Sequence, residues 1–254
     1  MIKCIYIELY KLFHQKNIYV YFSIIALISL LSVYVMNMER NVDGTIFPLT
    51  LHAGLSPMIM PIIVIIFINQ LFSDDFKYGT IKNLLTRPIQ RFHLFLAKYF
   101  TLFIFILVLY FFTLIVSYLM SGIFIGFHQI LDLDRGWVLF FDHLTGTAYI
   151  YFLSIFPLFS FAALMSIPAI IIKSSGMMIT IGIMLVFSIP VITSVLPEIS
   201  PWFINTYFNV PEVLTGVSFQ HENETIISWT IVALYAVFSF MVSYWIFLRK
   251  DIEA

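Results

Sequence analysis

The sequence predicts an all-α integral membrane protein with six transmembrane helices, an N-terminal interfacial helix and cytoplasmic termini. Three observations lead there. Hydrophobic residues make up 61% of the 254 residues and charged residues only 11%; a soluble domain carries about 25% charged residues, so this chain cannot clothe a water-facing surface. Six stretches are long and apolar enough to cross a bilayer, which takes ~20 residues. The basic residues then sort to one side of those stretches, which sets the orientation.

Residues 1–17 come first. At 100° per residue, Ile2, Ile5, Tyr6, Leu9, Leu12 and Phe13 share one face, and Lys3, Glu8, Lys11, His14 and Gln15 share another. That pattern describes a helix lying on the membrane surface. The apolar run that follows is too long for the h-region of a signal peptide and lacks a small-residue cleavage site, so it is expected to stay as an anchor. The six spans fall near 18–36, 52–72, 94–117, 148–172, 177–196 and 226–248. Pro57 and Pro61 interrupt the second, which a bilayer tolerates where neighbouring helices satisfy the freed carbonyls. Lys173-Ser174-Ser175-Gly176 separates the fourth and fifth as a tight hairpin.

With six spans, Lys3, Lys11, Lys16, Lys77, Lys82, Arg87, Arg91, Lys98, Lys173, Arg249 and Lys250 fall on one side, and only Arg40 and Arg135 on the other. Both termini are therefore expected in the cytoplasm. Residues 1–254 read as a single membrane domain, with a cytoplasmic loop at 73–93 and an outer loop at 197–225. The outer loop carries Pro197, Pro201, Trp202, Phe203, Tyr207, Phe208 and Pro211.

The chemistry missing from the chain narrows its function. The spans hold no Asp or Glu between their ends, which argues against a proton- or sodium-coupled carrier. Asn69 and Gln70, near the cytoplasmic end of the second span, are the clearest polar pair and are expected to hydrogen-bond across helices. The six histidines read as loop or span-edge residues, with no H-E-x-x-H helix to hold zinc and no buried His or Asp to activate a serine. Cys4 is the one cysteine, which excludes an internal disulfide. No G-x-x-x-x-G-K-[ST] loop is present to bind ATP, and no basic stripe suits nucleic acid.

One stretch carries a positive signal. It runs from Phe72 through Lys98 and is dense in charge. Gly79-Thr80 breaks the chain and offers a new N-cap. Ile81, Leu84 and Leu85 then share an apolar face, with Lys82 and Asn83 on another. Thr86 and Arg87 follow, and Pro88 ends the short helix because the residue before proline avoids the α region. Arg91 and Lys98 flank the entry to the third span. A plain interfacial loop obeying the charge bias would account for the basic residues but not for the order of Gly-Thr, paired leucines, Pro and Arg.

That order resembles the first cytoplasmic loop of type 2 ABC-exporter permeases, which runs Glu-x-x-x-Gly-Thr-hydrophobic-Lys-x-Leu-Leu-x-x-Pro-hydrophobic-Ser-Arg, then a Lys at the next span. Gly79, Thr80, Ile81, Lys82, Leu84, Leu85, Pro88, Ile89, Arg91 and Lys98 match. Asp75 stands where Glu is usual and Gln90 where Ser is usual. The resemblance covers the whole chain in layout. It implies that the loop is a coupling helix docking in a groove of a separate ABC ATPase, with two ATPases serving two permease chains, here a homodimer. ATP and Mg would then sit on the partner ATPase, and this chain would carry no cofactor and no catalytic activity. The resemblance also implies re-entrant outer helices before the last span.

By general look the chain is similar to Gram-positive permeases for antimicrobial-peptide immunity and for export of phenol-soluble-modulin-type toxins. An uncharged interior suits an amphipathic or apolar cargo, either a peptide or lipid-like. The expected location is a bacterial cell membrane, with the lipid bilayer as solvent and no nucleic-acid partner. The rivals are a secondary transporter, which needs ionisable groups or broken helices at the midplane, and an ATP-independent sensor or assembly protein.

Overall fold

The computed structural model describes residues 2–14, 16–38, 46–73, 91–126, 136–172, 174–208 and 223–249. Among them there is no strand. The helices are α1 (Ile2–His14), α2 (Lys16–Met38), α3 (Phe47–Leu55), α4 (Ile59–Ile68), α5 (Arg91–Ser121), α6 (Gly136–Ile171), α7 (Ser175–Val195) and α8 (Asn223–Arg249). A π-helical turn, Asn69–Ser73, extends α4, and another, Gly122–Gly126, extends α5. Two 3-10 helices, Pro197–Trp202 and Ile204–Phe208, lie between α7 and α8.

Among the described residues, five helical stretches are long and apolar enough to cross a membrane, or six if α3 and the α4 stretch, bent by 51° at a short break, count as one span. The protein is thus an all-α, multi-pass membrane protein. For orientation, the near end of the bundle is the one holding Lys16, Ser73, Arg91 and Arg249, and the far end holds Met38, Ile46 and Val195.

The break in the second span follows from its prolines. Pro48 sits in the first turn of α3, where a missing N–H costs nothing. Pro57 and Pro61 come at and just after the Ser56–Met58 break, where each removes a ladder donor. At the break the Ser56 hydroxyl donates to the Phe208 carbonyl at 3.0 Å, which ties the break to the second 3-10 helix. That pair of helices is folded onto the bundle: Ile204, Tyr207 and Phe208 are buried, Tyr207 donates to the Pro201 carbonyl at 2.6 Å, and Phe208 meets Phe161 edge-on.

The central helices are α5 and α6, while α2, α7 and α8 present most of their surface outward. Outward Leu, Val, Ile and Phe side chains match a hydrocarbon solvent. Several buried hydroxyls within the spans are satisfied by their own helix: Ser29 bonds Ile25, Thr101 bonds Ala97 and Thr113 bonds Leu109. One hydroxyl chain crosses helices: Tyr99 on α5 meets Ser166 on α6 at 2.6 Å, and Ser166 meets Ser243 on α8 at 2.7 Å. Gly182 on α7 lets that helix approach Ile65 on α4 closely.

Several sequence expectations need correction. The second span starts at Phe47, not near 52, because Pro48 initiates the helix. The expected loop 73–93 is shorter at both ends: Ser73 belongs to the π-turn, and Arg91 to His93 form the first turn of α5. The expected outer loop 197–225 is helical at 197–208 and gives Asn223 to Thr225 to α8. His52 is not a span-edge residue but is fully enclosed, because the early start of α3 turns it onto α5 and α6.

Candidate functional site

Among the described residues, Glu8, Lys11, Arg91, Lys98 and Arg249 gather at the near end. Helix carbonyls in a last turn have no partner of their own, and in hydrocarbon an unpaired carbonyl is costly. Two cations from the start of α5 serve that need. Arg91 donates from Nη1 to the Leu248 carbonyl in the last turn of α8 at 3.0 Å. Lys98, two turns further along α5, donates from Nζ to the Leu71 carbonyl in the π-turn at 2.5 Å. A positive charge at a helix C-terminus also opposes the helix dipole. One helix, α5, thus caps both the π-turn and the end of α8.

Lys98 is 0% exposed, and its counter-charge is Glu8 of α1, 3% exposed, with Nζ to Oε1 at 3.6 Å. Lys11 Nζ lies 3.4 Å from the same carboxylate oxygen. The Lys98 ammonium also sits 5.6 Å from the Phe72 ring centre. Around it, Phe95 packs against Phe72, Tyr99, Phe240, Tyr244 and Phe247. At the end of α8, the Arg249 guanidinium lies 3.9 Å over Trp245. The side-chain oxygens of Asn69 and Gln70 are buried in the π-turn and have no partner among the described residues. A π-turn is often found at functional sites.

Of the residues expected to couple to an ATPase, only Arg91 lies among the described residues, and its contact is the α8 cap. Asp75, Gly79, Thr80, Ile81, Lys82, Leu84, Leu85, Thr86, Arg87 and Pro88 lie outside them. Of the interfacial residues, Glu8 is the carboxylate on which Lys11 and Lys98 converge, and Lys3 falls within α1. Sequence reasoning missed the Glu8–Lys98 pairing. A signal for it exists: Glu8 is the one acid in residues 1–38, and Lys98 is a cation set among apolar residues of a span.

A second polar cluster lies toward the far end. His52 Nε2 meets Ser154 Oγ at 2.8 Å, beside Tyr110 and Tyr151, and Tyr151 donates to the Pro48 carbonyl at 2.9 Å. This corrects the expectation that no buried histidine stands near a serine. Yet Ser154 donates its proton to the Ile150 carbonyl at 2.7 Å, so His52 donates to it rather than accepting. That leaves Nδ1 as an acceptor, and it has no partner among the described residues. Activating a serine needs the opposite proton arrangement and a group that orients the histidine. The cluster reads as a brace between the broken span and α6.

Among the described residues, no group of three or more His, Cys, Asp or Glu is placed to hold a metal ion. Residues 34–253 match the sequence profile of a family described as protein of unknown function (DUF2705). The chain belongs to that family. The DUF2705 match runs from within α2 to the end of α8, so it takes in Lys98, Arg91 and segment 74–90 but not α1. No curated protein matches the chain.

Proposed function

We propose that this DUF2705 protein is the membrane-spanning permease subunit of an ATP-driven exporter whose ABC ATPase is a separate chain. The observation that carries the reading is the motif Gly79-Thr80-Ile81-Lys82-x-Leu84-Leu85-x-x-Pro88, set between the π-turn, whose Leu71 carbonyl Lys98 caps, and the start of α5, whose Arg91 caps α8. Helices linked to one another on both sides of the motif are mechanically suited to input. A push on 74–90 loads α4 through the π-turn, and α5 and α8 through Lys98 and Arg91. In this reading two ATPases bind ATP and Mg2+, two copies of the permease pair in a bacterial cell membrane with both termini cytoplasmic, and ATP-driven closure rocks the bundles. The uncharged face of the spans supports an amphipathic or apolar cargo, with a peptide toxin or antimicrobial peptide the best fit in kind.

The test is co-purification from native membranes, with ABC ATPase subunits detected by mass spectrometry. Wild type is compared with the double charge reversal Lys82→Glu/Arg87→Glu. The expected result is stoichiometric ATPase with wild type and at least a tenfold loss with the variant at equal permease yield. Absence of any ABC ATPase from the wild-type complex removes the energy source, and a sensor or assembly role then replaces transport.

A further inference from the structure

The orientation of α1 does not follow from amphipathicity alone. A surface helix held only by its apolar face keeps its charges in water. Here Glu8 is turned into the protein and 3% exposed, whereas Tyr6 and Tyr10 on the same helix are 67% and 54% exposed. Tyrosines facing outward at the membrane boundary suit the headgroup level, where an apolar ring with a polar tip is at home. The carboxylate meets Lys98, which is itself wholly buried and engaged with the Leu71 carbonyl. Leu71 lies three residues before the start of segment 74–90, and Arg91, the first residue after that segment, is seven residues ahead of Lys98 on the same helix. The chain of contacts thus runs from Leu71 in the π-turn through Lys98 to Glu8.

We infer that Glu8 and Lys98 form a joint that fixes α1 to α5, so that α1 moves as one unit with both flanks of segment 74–90. Glu8 and Lys98 are positioning residues in this scheme. A buried pair of opposite charges resists separation, since pulling it apart leaves each charge without its counter-ion in a poorly polar setting. Lys11, on the solvent side of the same carboxylate, adds a second cation 3.4 Å from its Oε1. The surface helix becomes an output of the segment: its outward tyrosines shift in the headgroup layer whenever α5 shifts. The joint itself stands on contacts alone, while its role in transmission rests on the coupling reading above.

The natural reporter is Cys4, the one cysteine of the chain, one helical turn before Glu8 on α1. The full-length protein is spin-labelled at Cys4 and reconstituted in lipid bilayers. Glu8→Gln and Lys98→Met are each expected to raise the mobile fraction of the label at least threefold, Lys98→Arg to leave it near wild type, and the double variant to add nothing beyond either single change. Glu8→Gln alters only the surface helix, so it carries the test even where Lys98→Met fails to fold. A label as immobile in Glu8→Gln as in wild type overturns the joint.

The second arm uses the complex with its ABC ATPase. ATP is expected to change the wild-type label spectrum and to leave the Glu8→Gln spectrum unchanged, with ATPase content equal in both. A complex that hydrolyses ATP with no response from the wild-type label overturns the transmission role. If no ATPase binds, the coupling reading falls and takes transmission with it, while the first arm still decides the joint.

Discussion

Placing a methyl group at Gly182 tests how tightly the broken second span is packed. A Cβ there would lie 2.7 Å from Ile65 Cγ2 and 2.9 Å from Ile65 Cδ1, against an ordinary carbon–carbon separation of about 3.5–4.0 Å. Roughly 0.8 Å must be taken up by α7 lifting from α4 or by Ile65 turning. Ile65 has little freedom to turn, because it is fully buried and a β-branched residue in a helix has one strongly preferred χ1.

Overpacking of this kind costs about 1–3 kcal/mol, and replacing glycine by alanine in a helix returns about 0.8–1.0 kcal/mol. Gly182→Ala is therefore expected to destabilise by up to about 2 kcal/mol. In an Ile65→Ala background the clashing atoms are gone, and the same change becomes neutral or stabilising by up to about 1 kcal/mol. The assay is the unfolding free energy of the four purified proteins in mixed micelles, read by helical circular dichroism against added SDS. If Gly182→Ala has the same effect in both backgrounds to within about 0.5 kcal/mol, the usual limit of additivity, the close approach of α7 to α4 is refuted. The consequence reaches the near end, because α4 runs without interruption into the π-turn that Lys98 caps.

Ser166→Ala removes the middle of the chain Tyr99–Ser166–Ser243 that links α5, α6 and α8. It should cost about 0.6–1.7 kcal/mol, the span measured for hydrogen bonds between membrane helices, in the same unfolding assay. Ser154→Ala leaves buried His52 without its Nε2 partner and should cost about 1–3 kcal/mol. The double variant His52→Phe/Ser154→Ala should recover most of that loss, whereas a catalytic role for the pair would show instead as lost activity at unchanged stability. Ser56→Ala releases the Phe208 carbonyl from the break in the second span. It should destabilise by about 0.5–1.5 kcal/mol and raise protease cleavage within 197–208.

The spans were legible because length and apolarity are local properties. A bilayer demands ~20 apolar residues in a row, and α2, α5, α7 and α8 read directly from that rule. The second span was half legible: Pro57 and Pro61 announced an interruption, but its 51° bend and its closure by Ser56 on Phe208 depend on a segment about 150 residues away. His52 was misplaced for a related reason, since the start of α3 at Phe47 moves it from a margin to an enclosed position.

The sequence by itself determined a multi-pass helical protein, the charge bias of its loops and the ordered motif at Gly79–Pro88, all of them patterns within a short stretch of chain. Tertiary structure alone decided which charges meet. Glu8 and Lys98 are 90 positions apart, and each looks locally like an ordinary boundary residue. Their partnership arises because α1 rests against the start of α5 just where the π-turn presents the Leu71 carbonyl. Hydropathy cannot express that choice: it measures the cost of placing a charge near hydrocarbon, whereas the identity of the counter-ion that offsets the cost depends on which helices pack together.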